Sequence, residues 1–120
     1  MKRTLSAVLL TLAAWLLSAQ TTTIAPQTLP DITGDGAAHA ISATAQQARW
    51  VSIYFWSTNS GTGRVGGASI SSSQGTPVAA GWSFFWPSVS SGGGGTTTYN
   101  LQNLYYIVQS GDKASIQYAR

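Results

Sequence analysis

The chain contains no cysteine and no glutamate, a single histidine, His39, and three aspartates, Asp31, Asp35 and Asp112. The missing thiols exclude a disulfide framework, a thiolate zinc site, an iron–sulfur cluster and a cysteine nucleophile. So few titratable groups weigh against acid–base catalysis, which usually needs at least two well-placed ones. Charge is scarce too: 8% of the residues are Asp, Glu, Lys or Arg, against about a quarter in an ordinary domain. The pI near 9.6 overstates the basic character, because two of the six cations, Lys2 and Arg3, sit in an N-terminal segment. Without them four cations face three aspartates. That balance cannot supply the phosphate-neutralising footprint of a nucleic-acid binder, so nucleic acid is not an expected partner.

Aromatic residues are abundant, with five Trp, five Tyr and three Phe. Their apolar area argues against disorder of the whole chain, and 120 residues give room for one domain. MKRTLSAVLLTLAAWLLSAQ opens the chain with two cations, an apolar run from Leu5 to Leu17, and small residues at Ser18 and Ala19. This is the layout of a secretory signal peptide over residues 1–19. The run, at about 13 residues, is short for the ~20 that span a bilayer. A membrane role is therefore expected only through residues 4–19, if they stay uncleaved.

Residues 20–33, with Pro26 and Pro30 and no helical period, read as an extended lead-in. From there to residue 120, short apolar runs alternate with turn residues at intervals of about ten, the rhythm of an all-β protein. The expectation is a single antiparallel β-sandwich or flattened barrel over 34–120, of about 6–8 short strands, preceded by an N-terminal hydrophobic helix. Strands are predicted at 39–44, 50–56, 64–70, around Pro77-Val78, and at 82–86, 104–109 and 114–119. Ser110-Gly111-Asp112-Lys113 is predicted to join the last two as a tight hairpin. Residues 88–98 hold four consecutive glycines among Ser and Thr, composition that predicts a flexible loop.

Three motifs suggest chemistry. Gly61-Thr62-Gly63-Arg64-Val65-Gly66 satisfies G-x-G-x-x-G, but a dinucleotide site needs a helix N-terminus behind the glycines. The residues after Gly66 are poor helix formers, so Asn59–Gly63 is expected to be a hairpin loop. Asp31-Ile32-Thr33-Gly34-Asp35-Gly36 begins like a calcium loop, but Ser42 stands where the bidentate Glu belongs, which favours a plain turn. His39 could join an aspartate and a serine in a triad, yet Ser83 lacks the G-x-S-x-G elbow. Neither a catalytic residue, a metal site nor a cofactor is therefore expected.

The aromatic stripes are the candidate site. Period 2 puts Trp50, Ser52, Tyr54 and Trp56 on one face of their strand, with Val51, Ile53 and Phe55 opposite; Trp82, Phe84 and Trp86 likewise share a face. If the aliphatic face is core, Trp50, Tyr54, Trp56, Trp82, Phe84 and Trp86 either fill a second packing layer, form a subunit interface, or stack on sugar rings.

The order of motifs resembles a family. GDGAAHAI (34–41), ARWV (48–51), the 59–67 stretch ending in RVGG, GTPVAAG (75–81), YNL (99–101) with LY (104–105), and GDKASIQY (111–118) together resemble the small all-β accessory proteins of tailed-phage virions. The likeness covers about residues 32–120 and rests on turns and strand starts in sequence. It implies a non-catalytic virion protein, a capsid decoration or tail accessory subunit, acting as a homo-oligomer on a larger protein lattice. The signal-like N-terminus departs from that pattern and suits the alternative, a periplasmic, secreted or cell-surface β-sandwich that binds glycans or mediates adhesion.

Overall fold

The computed structural model describes residues 25–90 and 96–120. The expected helix over 1–19, the start of the lead-in and the middle of the 88–98 loop lie outside the described residues. The described chain is all-β, with several antiparallel sheets and a single 3-10 turn, Leu101–Asn103.

The longest strands carry the clearest period-2 pattern. In chain order the strands are β1 (Gln27–Thr28), β2 (Ile32–Thr33), β3 (Ala38–Ala40), β4 (Gln47–Ala48), β5 (Trp50–Phe55), β6 (Gly63–Gly66) and β7 (Thr76–Val78). They continue as β8 (Ser83–Trp86), β9 (Val89–Ser90), β10 (Thr96–Thr97), β11 (Tyr99–Asn100), β12 (Tyr105–Ile107) and β13 (Lys113–Ala119). The larger sheet runs β1-β13-β5-β8, with β2 also on β13; the smaller runs β3-β12-β6-β7; β4 pairs β11, and β9 pairs β10.

β5 and β13 pair over six residues, from Ala114 opposite Phe55 to Ala119 opposite Trp50. Alternation turns Val51, Ile53 and Phe55 of β5, and Ala114, Ile116 and Tyr118 of β13, to one side. There they meet Val65, Val78, Val108 and Tyr106 of the smaller sheet and its flanks, with Ile41 and Leu101, in one core. Each fully buried Val, Ile or Phe side chain there contributes roughly 1.5–3 kcal/mol.

The lead-in has a partner. Gln27 and Thr28 lie opposite Tyr118 and Gln117, Ile32 lies opposite Ala114, and the Leu29 amide donates to the Ile116 carbonyl at 3.0 Å. Residues 27–33 thus form a broken edge strand along β13, interrupted at Pro30, which has no N–H for the ladder. Leu29 and Ile32 pack against the core.

Two predicted hairpins differ from expectation. The Asp112 amide donates to the Gln109 carbonyl at 3.0 Å, and Gly111 has φ of 82°, a turn that glycine suits. It is tight, as expected, but β12 and β13 belong to different sheets, so the chain crosses the core there. The 56–62 loop crosses in the same way, from β5 in the larger sheet to β6 in the smaller. Short turns fix direction, whereas sheet membership is set by which buried faces meet, and local sequence does not encode that.

Candidate functional site

The larger sheet has an outer face, turned from the core. β5 supplies Trp50, Ser52 and Tyr54, and β13 supplies Ser115 and Gln117, which lie opposite Tyr54 and Ser52. On the other side of β5, Phe85 lies opposite Ser52 and Ser83 opposite Tyr54. Residues directly paired across a ladder share a face, so β8 is read against β5. Phe84 is opposite Ile53 and Trp86 opposite Val51, which sends both inward; they pack on the core and meet each other edge-on with centroids 4.6 Å apart.

Of the six aromatic candidates, Trp50 and Tyr54 therefore stand together on the outer face. Phe84 and Trp86 leave it for the core, a correction to the expectation that the β8 stripe offers binding area. Trp82 precedes β8 at the Ala79–Trp82 turn, closed by the Trp82 amide on the Ala79 carbonyl at 3.1 Å, and is 69% exposed. Phe85, absent from the candidates, is 53% exposed and tilts against Trp50 with centroids 5.9 Å apart. Its alternation with Phe84 and Trp86 put aromatics on both sides of β8, so sequence held no signal for which side would face out.

Trp56 is fixed rather than free. Its indole N–H donates to Ser115 Oγ at 2.9 Å, and the Ser115 hydroxyl donates to Asp31 Oδ1 at 2.7 Å. Lys113 Nζ lies over the indole, 5.1 Å from its centroid, within cation–π range. The outer face thus mixes rings with hydroxyl, amide and carboxylate groups.

The motifs with a possible chemistry resolve into turns and pairs. The Ser60 and Gly61 amides donate to the two oxygens of Asp112, each at 2.9 Å, and the Ser60 hydroxyl reaches Oδ1 at 3.2 Å. The Gly-rich loop is a cradle for an anion, and the anion is the protein's own buried aspartate. Those backbone N–H groups, Ser60 first, hold the Asp112 carboxyl below the usual carboxylate range. Asn59 completes the clamp, accepting from the Lys113 amide at 2.7 Å and donating to its carbonyl at 2.8 Å. Gly63 is needed because a Cβ there would overlap the Phe55 ring.

His39 Nε2 meets Asp35 at 3.0 and 2.9 Å, both groups exposed. The Ala37 amide and then His39 lower the Asp35 pKa. Asp31 and Asp35 are engaged with different partners, and among the described residues no three His, Cys, Asp or Glu side chains converge as metal ligands do.

An open cavity of about 380 Å³ lies where β4, β11 and the end of β13 meet, lined by Gln46, Gln47, Arg49, Thr98, Arg120 and two alanines. The Arg49 amide, donating to the Ala119 carbonyl at 2.7 Å, ties two of its walls together. Neither arginine was among the sequence candidates, since they lie far apart in the chain and only the sheet brings them together. No family model, curated protein or solved structure matches the chain.

Proposed function

We propose that the chain is a non-enzymatic structural or accessory protein of a phage-type virion, a single β-sandwich domain that docks on a protein lattice or its own copies. Its contact surface is the outer face of the larger sheet and the adjoining Trp82 turn. The observation that supports this most is the exposure of Phe85, set against Trp50 on the face that also carries Tyr54, together with the exposure of Trp82 in the adjoining turn. Large rings left in water on a small domain mark an interface, and aromatic anchors commonly dominate the energy of one. The three aspartates are each engaged in turn or side-chain hydrogen bonds, which favours binding over catalysis.

One observation favours a second reading, a secreted or cell-surface module for glycans. The Trp50–Phe85 pair is flanked by Ser52, Ser83 and Gln117, and rings set among hydroxyls and amides suit sugar rings and their hydroxyl groups.

Phe85→Ala and Trp82→Ala, made singly, separate the readings. Light scattering should show lost self-association or lattice binding, with a cost of about 2 kcal/mol or more for an anchor. Lost binding to a glycan panel with assembly intact would select the second reading. Unchanged behaviour in both assays would overturn the docking face.

A further inference from the structure

We propose that the cavity between β4, β11 and the end of β13 is a binding site for a small polar molecule carrying an oxyanion, a carboxylate, sulfate or phosphate group, held by Arg49 and Arg120. This goes beyond the docking face and does not depend on it.

The argument begins with the chain's acids. There are three aspartates and no glutamate, and each aspartate is committed: Asp31 to Ser115, Asp35 to His39 and the Ala37 amide, Asp112 to Ser60 and Gly61. No acidic side chain remains to neutralise another cation, and the ion pair among the described residues is Asp35–His39. Two other cations have local partners, Arg64 donating to the Gly75 carbonyl at 3.0 Å and Lys113 over Trp56. Arg49 and Arg120, by contrast, line one cavity.

Two arginines lining one cavity supply two cations to it, and an oxyanion bound there is attracted by both. The guanidinium fork suits it, since it offers paired N–H groups to carboxylate, sulfate or phosphate oxygens. The rest of the lining pairs two alanines with polar residues that are held in place. The Thr98 hydroxyl donates to Gln47 Oε1 at 2.8 Å, which leaves the Gln47 amide nitrogen as a donor. The Gln46 amide donates to Asn100 Oδ1 at 3.2 Å, and Ala48, one of the lining alanines, is buried. A volume of about 380 Å³ falls in the range of small-molecule sites, roughly 300–1,000 Å³. It exceeds what a bare ion fills, so the fit is to an anion on a larger polar framework, such as an acidic sugar.

The test is a titration of the full chain, ¹⁵N-labelled, with glucuronate, glucose 6-sulfate, glucose 6-phosphate and neutral glucose, followed by NMR. The three acidic probes distinguish carboxylate from sulfate and phosphate as the favoured group. Saturable shifts are expected at Gln46, Gln47, Arg49, Thr98 and Arg120 with at least one acidic probe and not with glucose. Arg49→Gln and Arg120→Gln should each weaken binding about ten-fold or more, the scale of a lost charge-assisted hydrogen bond. Arg49→Lys, which keeps charge and loses the fork, should fall between and serves if a glutamine variant loses its dispersed spectrum. No saturation by about 10 mM of any acidic probe, a limit near 2.7 kcal/mol, would overturn the proposal. So would shifts spread equally to Arg64 and Lys113, or binding that survives both substitutions together.

Discussion

β5 and β8 lie side by side and read almost alike, yet they present opposite alternations. In β5 the even-numbered residues Trp50, Ser52 and Tyr54 face out; in β8 the even-numbered Phe84 and Trp86 face in, and Phe85 faces out. β5 announces its orientation because one side is aliphatic and the other mixed, so burial has a clear preference. β8 carries a ring at each of its last three positions, and the hydrophobic effect alone favours neither side. Pairing decides, by setting Phe84 opposite Ile53 and Trp86 opposite Val51. A one-residue slip would reverse every side chain of the strand, trading two partly buried rings for one.

The sharpest way to break this contrast is to remove rings from each side of β8. Trp86→Ala or Phe84→Ala should cost about 3 kcal/mol, the lower part of the range for core aromatic truncation. Phe85→Ala on the outer side should lie within about 0.5 kcal/mol of the parent, as exposed substitutions do, and so should Trp82→Ala in the turn before β8. Chemical denaturation of the four variants gives the ranking, and equal losses on both sides would mean that β8 does not hold this register.

A second contrast concerns the two edges of the larger sheet. β8 was legible from its rings, whereas β1 and β2 were not, because two-residue strands on either side of a proline offer no period to read. Only the long β13 beside them makes residues 27–33 a strand. A chain beginning at Gly34 loses Leu29 and Ile32 from the core and the ladder to β13. It should be less stable by about 2 kcal/mol, taking part-burial of two aliphatic side chains. A denaturation midpoint equal to that of the full chain would show the edge strand to be dispensable.

The legible part of the fold was what repeats locally: β5, β13, β12, the tight turns and the all-β class follow from alternation and turn residues. What could not be read were relations at a distance. The crossings at 56–62 and 109–112, the inward turn of Phe84 and Trp86, and the meeting of Arg49 with Arg120 each need a partner strand that local sequence does not name. The Gly-rich loop lies between these cases. Its glycines marked a turn, but only the fold shows that Asp112 takes the two loop N–H groups, of Ser60 and Gly61.

That occupancy gives a pH signature. The Asp112 carboxyl has its pKa lowered in the folded chain from an ordinary value of 3.8, so its contribution is fully present above that value and is lost as pH falls through the lowered one. Asp35, shifted the same way but exposed, adds a weaker contribution of the same sign. Asp112→Asn should lower the thermal midpoint at pH 7 and flatten its fall between about pH 4 and pH 2. A fall as steep as the parent's would remove the clamp from the account of stability.

The smallest effect tests a contrast within the outer face, between Trp56, tied down by Ser115 and Lys113, and the less encumbered Phe85. Trp56→Phe keeps a ring beneath Lys113 but deletes the indole N–H that donates to Ser115 Oγ. The lost bond should cost about 1 kcal/mol. Ser115→Ala removes the same bond together with the link to Asp31, so the two substitutions combined should cost less than their sum, the mark of a shared interaction. Trp56→Phe should leave association near the parent value while Phe85→Ala weakens it, because a side chain already held by its own protein has less to offer a partner. Strict additivity would show that the Trp56–Ser115 bond is absent in solution, and association lost equally in Trp56→Phe and Phe85→Ala would extend the docking face across the whole sheet.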